Sequence, residues 1–259
     1  MSSDLTGKTA LITGAGRGVG AAVAAGLAEA GASLILVARS ADQLAETAEA
    51  IGTNPYQGQV RTVAADVADD AQRQRAVDAA LAAGPVDILI NNAATVEPLG
   101  ASATITAAQL RQAFDVNVVA VAGLSAALVP AMVKAGWGRV VNVSSGIVAN
   151  PGNMIGGNAY ATTKAALEAH TRNLAAELAG TGVTANVYRP GQVDTAMQGW
   201  IRDQDPERVG SALHDRFTAT FASGALITPG QSAAALLGHL LGGGERSGAI
   251  WDLEKTVDA

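Results

Sequence analysis

Seven short apolar runs, each closed by turn residues and separated by longer helix-patterned stretches, constrain this chain more than any other feature. They are Lys8–Thr13, Ser33–Ala38, Val60–Ala64, Val86–Asn91, Arg139–Ser144, Val183–Tyr188 and Ala249–Leu253. Most of them are apolar at adjacent positions rather than alternating apolar with polar, as expected of strands covered on both faces. The intervening segments predict helices at Gly20–Ala30, at Ser40–Ile51 with Ser40 as its N-cap, at Asp70–Ala83, over Thr106–Lys134 as one or two helices, and at Ala159–Gly180. Apolar strands alternating with helices predict an α/β fold: a doubly wound parallel sheet with helices on both faces. Nothing linker-like interrupts the alternation, so a single domain spanning 1–259 is expected. The rhythm breaks only at 196–228, where Trp200, the polar run at 202–208, Phe217 and Phe221 read as an inserted pair of helices over a site.

Composition narrows the class. Hydrophobic residues make up 49% of the chain and charged residues 15%, which excludes a disordered polymer. With aromatics at 3%, the core must be built from Ala, Val, Leu and Ile. The formal charge is -6 and no basic run is present, so nucleic acid is not an expected partner. The chain has no cysteine, which rules out disulfides, thiolate metal sites and cysteine nucleophiles. No metal-ligand spacing is evident. The N-terminal stretch lacks the pattern of a leader, and no run approaches 18 uninterrupted apolar residues, so a cytoplasmic protein with no membrane association is expected.

The first apolar run leads into Thr13-Gly14-Ala15-Gly16-Arg17-Gly18-Val19-Gly20. Glycines after a strand and before a helix allow a tight turn and let backbone N–H groups approach a pyrophosphate, toward which the helix directs its positive end. The end of the second run distinguishes the two nicotinamide dinucleotides. An acidic side chain there would bind ribose hydroxyls; this chain has Ala38 and Arg39 instead, with Arg17 in the adjoining turn. Two guanidiniums suit a 2′-phosphate, so NADP(H) is expected in preference to NAD(H).

Tyr160 and Lys164 lie one helical turn apart on one face. A free phenol has a pKa of about 10 and is a poor acid–base catalyst at neutral pH, but a nearby cation lowers that value. The pair therefore suits general acid–base chemistry at an oxygen atom. Ser145 closes the fifth run and is placed to hold a substrate oxygen. Ser144 precedes it, and the period of a strand lets only one of the two face the cofactor. Asn117 is a polar residue inside an apolar helix and needs a partner: it either holds a water that relays protons to Lys164 or is a hydrogen-bonded core asparagine.

Taken together these residues resemble the classical short-chain dehydrogenase/reductase family, in its NADP(H)-preferring branch, from about Leu5 to Asp252. The resemblance rests on the glycine motif at 13–20, Asp66-Val67, the Asn-Asn-Ala-Ala of 91–94, Asn117, Ser145, Tyr160 with Lys164, and Pro190-Gly191-Gln192-Val193-Asp194-Thr195. It implies a seven-stranded parallel Rossmann sheet and a Ser-Tyr-Lys-Asn catalytic set. By that likeness Tyr160 is the general acid/base, Lys164 lowers its pKa and holds the nicotinamide ribose, Ser145 orients the substrate oxygen, and Asn117 supports the relay. Gly14, Gly16, Arg17, Gly18, Val19 and Gly20 form the phosphate turn. Asp66 and Val67 contact adenine, and Asn92 and Ala93 wall the adenosine ribose. Pro190 and Gly191 open the loop whose Val193 and Thr195 hold the carboxamide. A homo-oligomer, tetramer or dimer, is also implied. Four features depart from the family pattern: Ala94 replaces a common glycine, Gly16 stands where NADP-preferring members often carry serine, the Ser145–Tyr160 interval is long, with Asn150-Pro151-Gly152-Asn153 expected as a loop beside the substrate, and the Asp-Gly-Gly ending of the last strand is missing.

The implied activity is hydride transfer between NADP(H) and a small-molecule carbonyl or secondary alcohol. An NADP(H)-binding regulatory or scaffold protein on the same fold is the alternative from a different class, and epimerisation or dehydration the alternative chemistry. Residues 94–99, 146–158 and 196–225 are expected to line the substrate pocket, with Met154, Ile155, Met197, Trp200, Phe217 and Phe221 giving it an apolar or mixed surface. His170 and His214 read as surface or packing residues.

Overall fold

The computed structural model describes residues 4–52, 58–242 and 246–253; the first three residues of the N-terminal stretch considered above lie outside that range. Seven strands, β1 (Thr9–Thr13), β2 (Ser33–Ala38), β3 (Val60–Ala64), β4 (Ile88–Asn91), β5 (Gly138–Val143), β6 (Val183–Arg189) and β7 (Ile250–Asp252), form one sheet in the order β3-β2-β1-β4-β5-β6-β7, with every pair parallel. The strand period explains why most runs are apolar at adjacent positions; edge strand β3 instead carries the exposed Arg61 and Thr62. Ala10, Ile12, Leu34, Leu36, Ile88, Ile90, Val141, Val143 and Tyr188 enter one core. Their neighbours Leu11, Ile35, Val37, Leu89, Val140 and Ala185 enter the other, on the opposite face.

Helices α1 (Gly18–Glu29), α2 (Ala41–Gly52), α3 (Asp70–Ala83), α4 (Ala107–Phe114), α5 (Ala120–Ala135) and α6 (Asn158–Glu177) precede a lid, and α10 (Pro229–Leu241) follows it. Val23, Ala24, Leu27, Ala233 and Leu236 place α1 and α10 on the first core. Ala76, Val77, Leu124, Leu128 and Ala175 place α3, α5 and α6 on the second. The Ser40 hydroxyl accepts from the Gln43 amide at 3.3 Å and begins α2 as expected.

The structure refines the sequence reading in one place and corrects it in another. The stretch over Thr106–Lys134 is one continuous helical run interrupted by a π-turn at Asp115–Val119, which carries Asn117. By length and composition the run Ala107–Ala135 is apolar enough to cross a membrane, but Ala120, Leu124, Leu128, Val129 and Met132 pack it into the second core. The break at 196–228 holds three helices rather than two: α7 (Ala196–Arg202), α8 (Pro206–Val209) and α9 (Ser211–Ala222). Asp205 caps the short α8 through its contact with the Glu207 amide, and Pro206 enters at the first helical position, so the polar run folds instead of looping. The lid has a small core of its own, in which Ile201, Val209 and Leu213 meet Val96, Leu99 and Met154.

Candidate active site

The carboxyl ends of β1 and β4 are joined at the point where strand order reverses. The Asn92 and Ala93 amides donate to the Thr13 hydroxyl at 3.0 and 3.1 Å, and Asn92 Nδ2 donates to the carbonyls of Thr13 and Gly14 at 3.0 and 3.2 Å. Gly14 and Gly18 take positive φ angles of 64° and 58°, which a side chain would strain. Gly20 is required for a different reason: a Cβ there would lie 2.2 Å from the Gly14 carbonyl oxygen. The α1 N-terminus has no acidic residue in its first turn and no side-chain cap, so its leading N–H groups face the opening.

This turn opens on a cavity of about 840 Å³. Gly14, Gly16, Arg17, Gly18 and Val19 line one end, with Ala38, Arg39, Ser40 and Gln43 beside them. A Cβ on Gly16 would lie 2.9 Å from Gln43 Cβ, so the space a serine would use is taken by Gln43. Asp66, Val67, Asn92 and Ala93 line the middle. Pro190, Gly191, Val193 and Thr195 close the far side, where Val193 bridges to Ile227 and Thr195 begins α7. The glycine turn, left open by the absence of Cβ atoms and extended by two arginines, fits a phosphorylated dinucleotide.

Ser145, Tyr160 and Lys164 line the same cavity. The Tyr160 hydroxyl lies beside Ser145. Ser144, which also borders the cavity, is 2% exposed and donates its hydroxyl to Glu168 at 2.8 Å. The Lys164 ammonium donates to the Val143 carbonyl at 2.7 Å and lies 5.8 Å from the centre of the Tyr160 ring. Burial pushes the Tyr160 phenol above its ordinary value, and the neighbouring Ser145 hydroxyl pulls it partly back. The lowering expected from Lys164 is therefore not what this geometry produces, because desolvation dominates and the cation lies beside the ring. Burial brings Lys164 itself down to about 8, with the charge of Glu168 acting in the opposite direction.

Asn117 and Gly20 do not line the cavity. Asn117 is buried behind it: Oδ1 accepts the Thr95 amide at 2.9 Å, and Nδ2 donates to the Thr95 carbonyl and the Thr163 hydroxyl, both at 2.9 Å. Its side chain ties the loop after β4 to α6.

On the substrate side, Met154, Met197 and Phe217 line the cavity together with Gln109, Gln112, Asn150 and Asn153, giving a mixed surface. Three expected lining residues do otherwise. Ile155 is 69% exposed, Phe221 is 51% exposed with the Arg202 guanidinium 4.0 Å from its ring centre, and Trp200 packs against the lid core. His214 contacts the Arg202 carbonyl at 3.0 Å, joining α9 to α7. The sequence reading missed Glu168, Arg189 and Asp252. Arg189 Nε and Nη2 donate to the two Glu168 oxygens at 2.9 Å each, and Nη1 donates to Asp252 at 3.0 Å. The available signals were an acid one turn beyond Lys164 and a lone arginine closing an apolar run.

A parallel sheet with a glycine cradle at its switch point, and a tyrosine, serine and lysine beside the cradle, defines a dinucleotide-dependent oxidoreductase. The profile of the short chain dehydrogenase family matches residues 8–206, and the chain belongs to that family. It is 36% identical to ketoacyl reductase HetN of Nostoc sp. over 208 residues, 80% of this chain and 71% of that protein. It is 39% identical to oxidoreductase UcpA of Salmonella typhimurium over 213 residues, 79% and 78% of the two chains. Among solved structures, L-sorbose reductase from Gluconobacter frateurii, in complex with NADPH and L-sorbose, superposes with a TM-score of 0.86 at 26% identity, covering 98% of this chain and 97% of that one. An NADP-bound 3-oxoacyl (acyl-carrier-protein) reductase from Agrobacterium tumefaciens superposes with a TM-score of 0.82 at 32% identity, covering 96% and 94%. The chain is accordingly a hydride-transfer oxidoreductase acting on CH–OH/C=O groups of small molecules.

Proposed function

We propose that the chain interconverts a carbonyl and a secondary alcohol with NADP(H) as its dinucleotide and Tyr160 as general acid/base. The observation that carries this reading is that Tyr160 and Ser145 lie side by side in the cavity that the glycine turn and Lys164 also line. Bound in the cradle, the nicotinamide supplies the hydride in reduction and takes it up in oxidation. In reduction, Tyr160 gives its proton to the substrate oxygen as negative charge develops there, and Ser145 donates a second hydrogen bond to the same atom. Lys164 holds the ribose with ammonium donors not used by Val143. Asn117 keeps α6 in place by bonding to Thr163.

Arg17 and Arg39 support the preference for NADP(H): both are exposed, both line the cavity at the end of β2, and neither is engaged by an acidic side chain among the described residues. Relatives solved with NADP or NADPH support the same reading. The exposed Leu110, Val119 and Val133 on the run Ala107–Ala135 favour a homo-oligomer. The test is a panel of ketones and alcohols assayed with NADPH and NADP, with products identified and Tyr160→Phe as control. A protein that binds NADPH yet converts no member of the panel would favour the regulatory alternative.

A further inference from the structure

Helix α6 presents three polar side chains at successive turns, and each engages a different one of three consecutive residues at the end of β5. Tyr160 lies beside Ser145, Lys164 donates to the Val143 carbonyl at 2.7 Å, and Glu168 accepts from Ser144 at 2.8 Å. The first two contacts belong to the chemistry proposed above. The third does not, and it is the one anchored to the rest of the fold.

We propose, on the basis of the Tyr160–Lys164 assignment, that Glu168 is a positioning residue for that pair, fixing the β5 end that carries Ser145 and supplying the buried negative charge beside Lys164. Glu168 is 6% exposed, Lys164 2% and Arg189 6%. Every polar direction of the Glu168 carboxylate is set by a neighbour. Oε1 accepts from Ser144 Oγ at 2.8 Å and from Arg189 Nε at 2.9 Å, while Oε2 accepts from Arg189 Nη2 at 2.9 Å. Such a bidentate pair fixes orientation as well as distance. Arg189 is held in turn by Asp252 at 3.0 Å, its register partner on β7. The network thus spans α6, β5, β6 and β7, and its arginine directly precedes the Pro190-Gly191 turn of the cofactor cavity.

Charge explains why a carboxylate is needed here. The groups around the Lys164 ammonium are Tyr160 and Glu168 on its own helix, the Val143 carbonyl, Ser144 and Ser145 on β5, and, beyond Glu168, Arg189 on β6 and Asp252 on β7. The two cations and two carboxylates balance. A buried ammonium without a nearby anion sheds its proton, because burial disfavours the charged form. Burial already brings Lys164 down to about 8, and Glu168 is the charge that opposes it. If packing alone mattered, an apolar side chain of similar volume would serve at least as well as this pair.

The test uses the full-length chain with NADPH. Glu168→Gln keeps the shape and one accepting oxygen but replaces the other with an NH2 donor and removes the charge. An isotope-edited NMR titration of the Lys164 ammonium is expected to show its midpoint falling by about one pH unit, a tenfold weaker hold on the proton. The alkaline limb of the kcat/KM profile for carbonyl reduction should move to lower pH by the same amount. Glu168→Asp, which retains the charge, should restore both. Should Glu168→Gln fail to fold because Arg189 is left unpaired, the double variant Glu168→Gln/Arg189→Met removes both charges, and the Lys164 midpoint should still fall. An unchanged midpoint and limb in a folded Glu168 variant would overturn the proposal. If wild type and variants alike reduce no carbonyl, the Tyr160 reading fails, while the NMR midpoint still decides the role of Glu168.

Discussion

The Lys164 ammonium donates to the carbonyl oxygen of Val143 at 2.7 Å. This single bond sets where the site's cation lies. It holds the ammonium against the last turn of backbone in β5, beside the Tyr160 ring, and leaves two of three ammonium donors for other acceptors. Val143 contributes only its main chain, so the contact survives any side chain that packs there.

Removing the Tyr160 hydroxyl should remove turnover and spare binding. Tyr160→Phe keeps the ring that packs against the lid core. Its kcat is expected to fall about a thousandfold, within the range for loss of a general acid. The Kd for NADPH, measured by fluorescence titration, should stay close to that of wild type. Near-normal turnover would take Tyr160 out of the mechanism.

Cofactor choice should respond to one substitution at the end of β2. Arg39→Asp replaces a cation by an anion beside the proposed 2′-phosphate position. The ratio of kcat/KM for NADPH over NADH is expected to drop by about tenfold or more, the loss of a charge-assisted contact plus a repulsion. A ratio that does not move would assign the phosphate to other groups.

The pH dependence of Lys164 should affect activity and stability in opposite directions. Its ammonium form is lost as pH rises through about 8, so carbonyl reduction at saturating NADPH should decline above that pH. Its folded value lies below the ordinary lysine value of 10.5. From about 8 up to 10.5 the unfolded chain therefore binds more protons, and this group's contribution to stability rises with pH. The melting-temperature gain of Lys164→Met over wild type should shrink between pH 8 and pH 10. A gain that grows over that window would reverse the sign argued here.

Gly20→Ala tests the cradle. The added Cβ would lie 2.2 Å from the Gly14 carbonyl oxygen and 2.5 Å from Asn92 Nδ2. The clash is with backbone, which cannot turn aside, so destabilisation of about 1–3 kcal/mol is expected, together with weaker NADPH binding. Calorimetry and a binding titration would check both; wild-type affinity would mean that the turn has room to relax.

Much of the site was legible before folding because the requirement at each position is local. A strand buried on both faces must be apolar along its whole length, so Ala10–Ile12 and Leu34–Val37 declare themselves. A turn that must adopt positive φ needs glycine at 14 and 18, and an i, i+4 spacing puts Tyr160 and Lys164 on one face whatever surrounds them. The lid was harder to read. Its sequence is polar, and its three helices are held by Ile201, Val209 and Leu213 packing against residues more than a hundred positions away, such as Val96 and Leu99.

From its own residues the chain determined the parallel sheet, the glycine turn and the tyrosine–lysine pair, because period, burial and backbone conformation act over a few residues. Tertiary structure decided which of Ser144 and Ser145 meets Tyr160, where Asn117 spends its hydrogen bonds, and that Glu168, Arg189 and Asp252 form one buried network. Those outcomes depend on groups 15 to 63 positions apart in the chain meeting in a medium with little water to solvate them, and nothing local records which partner burial will supply.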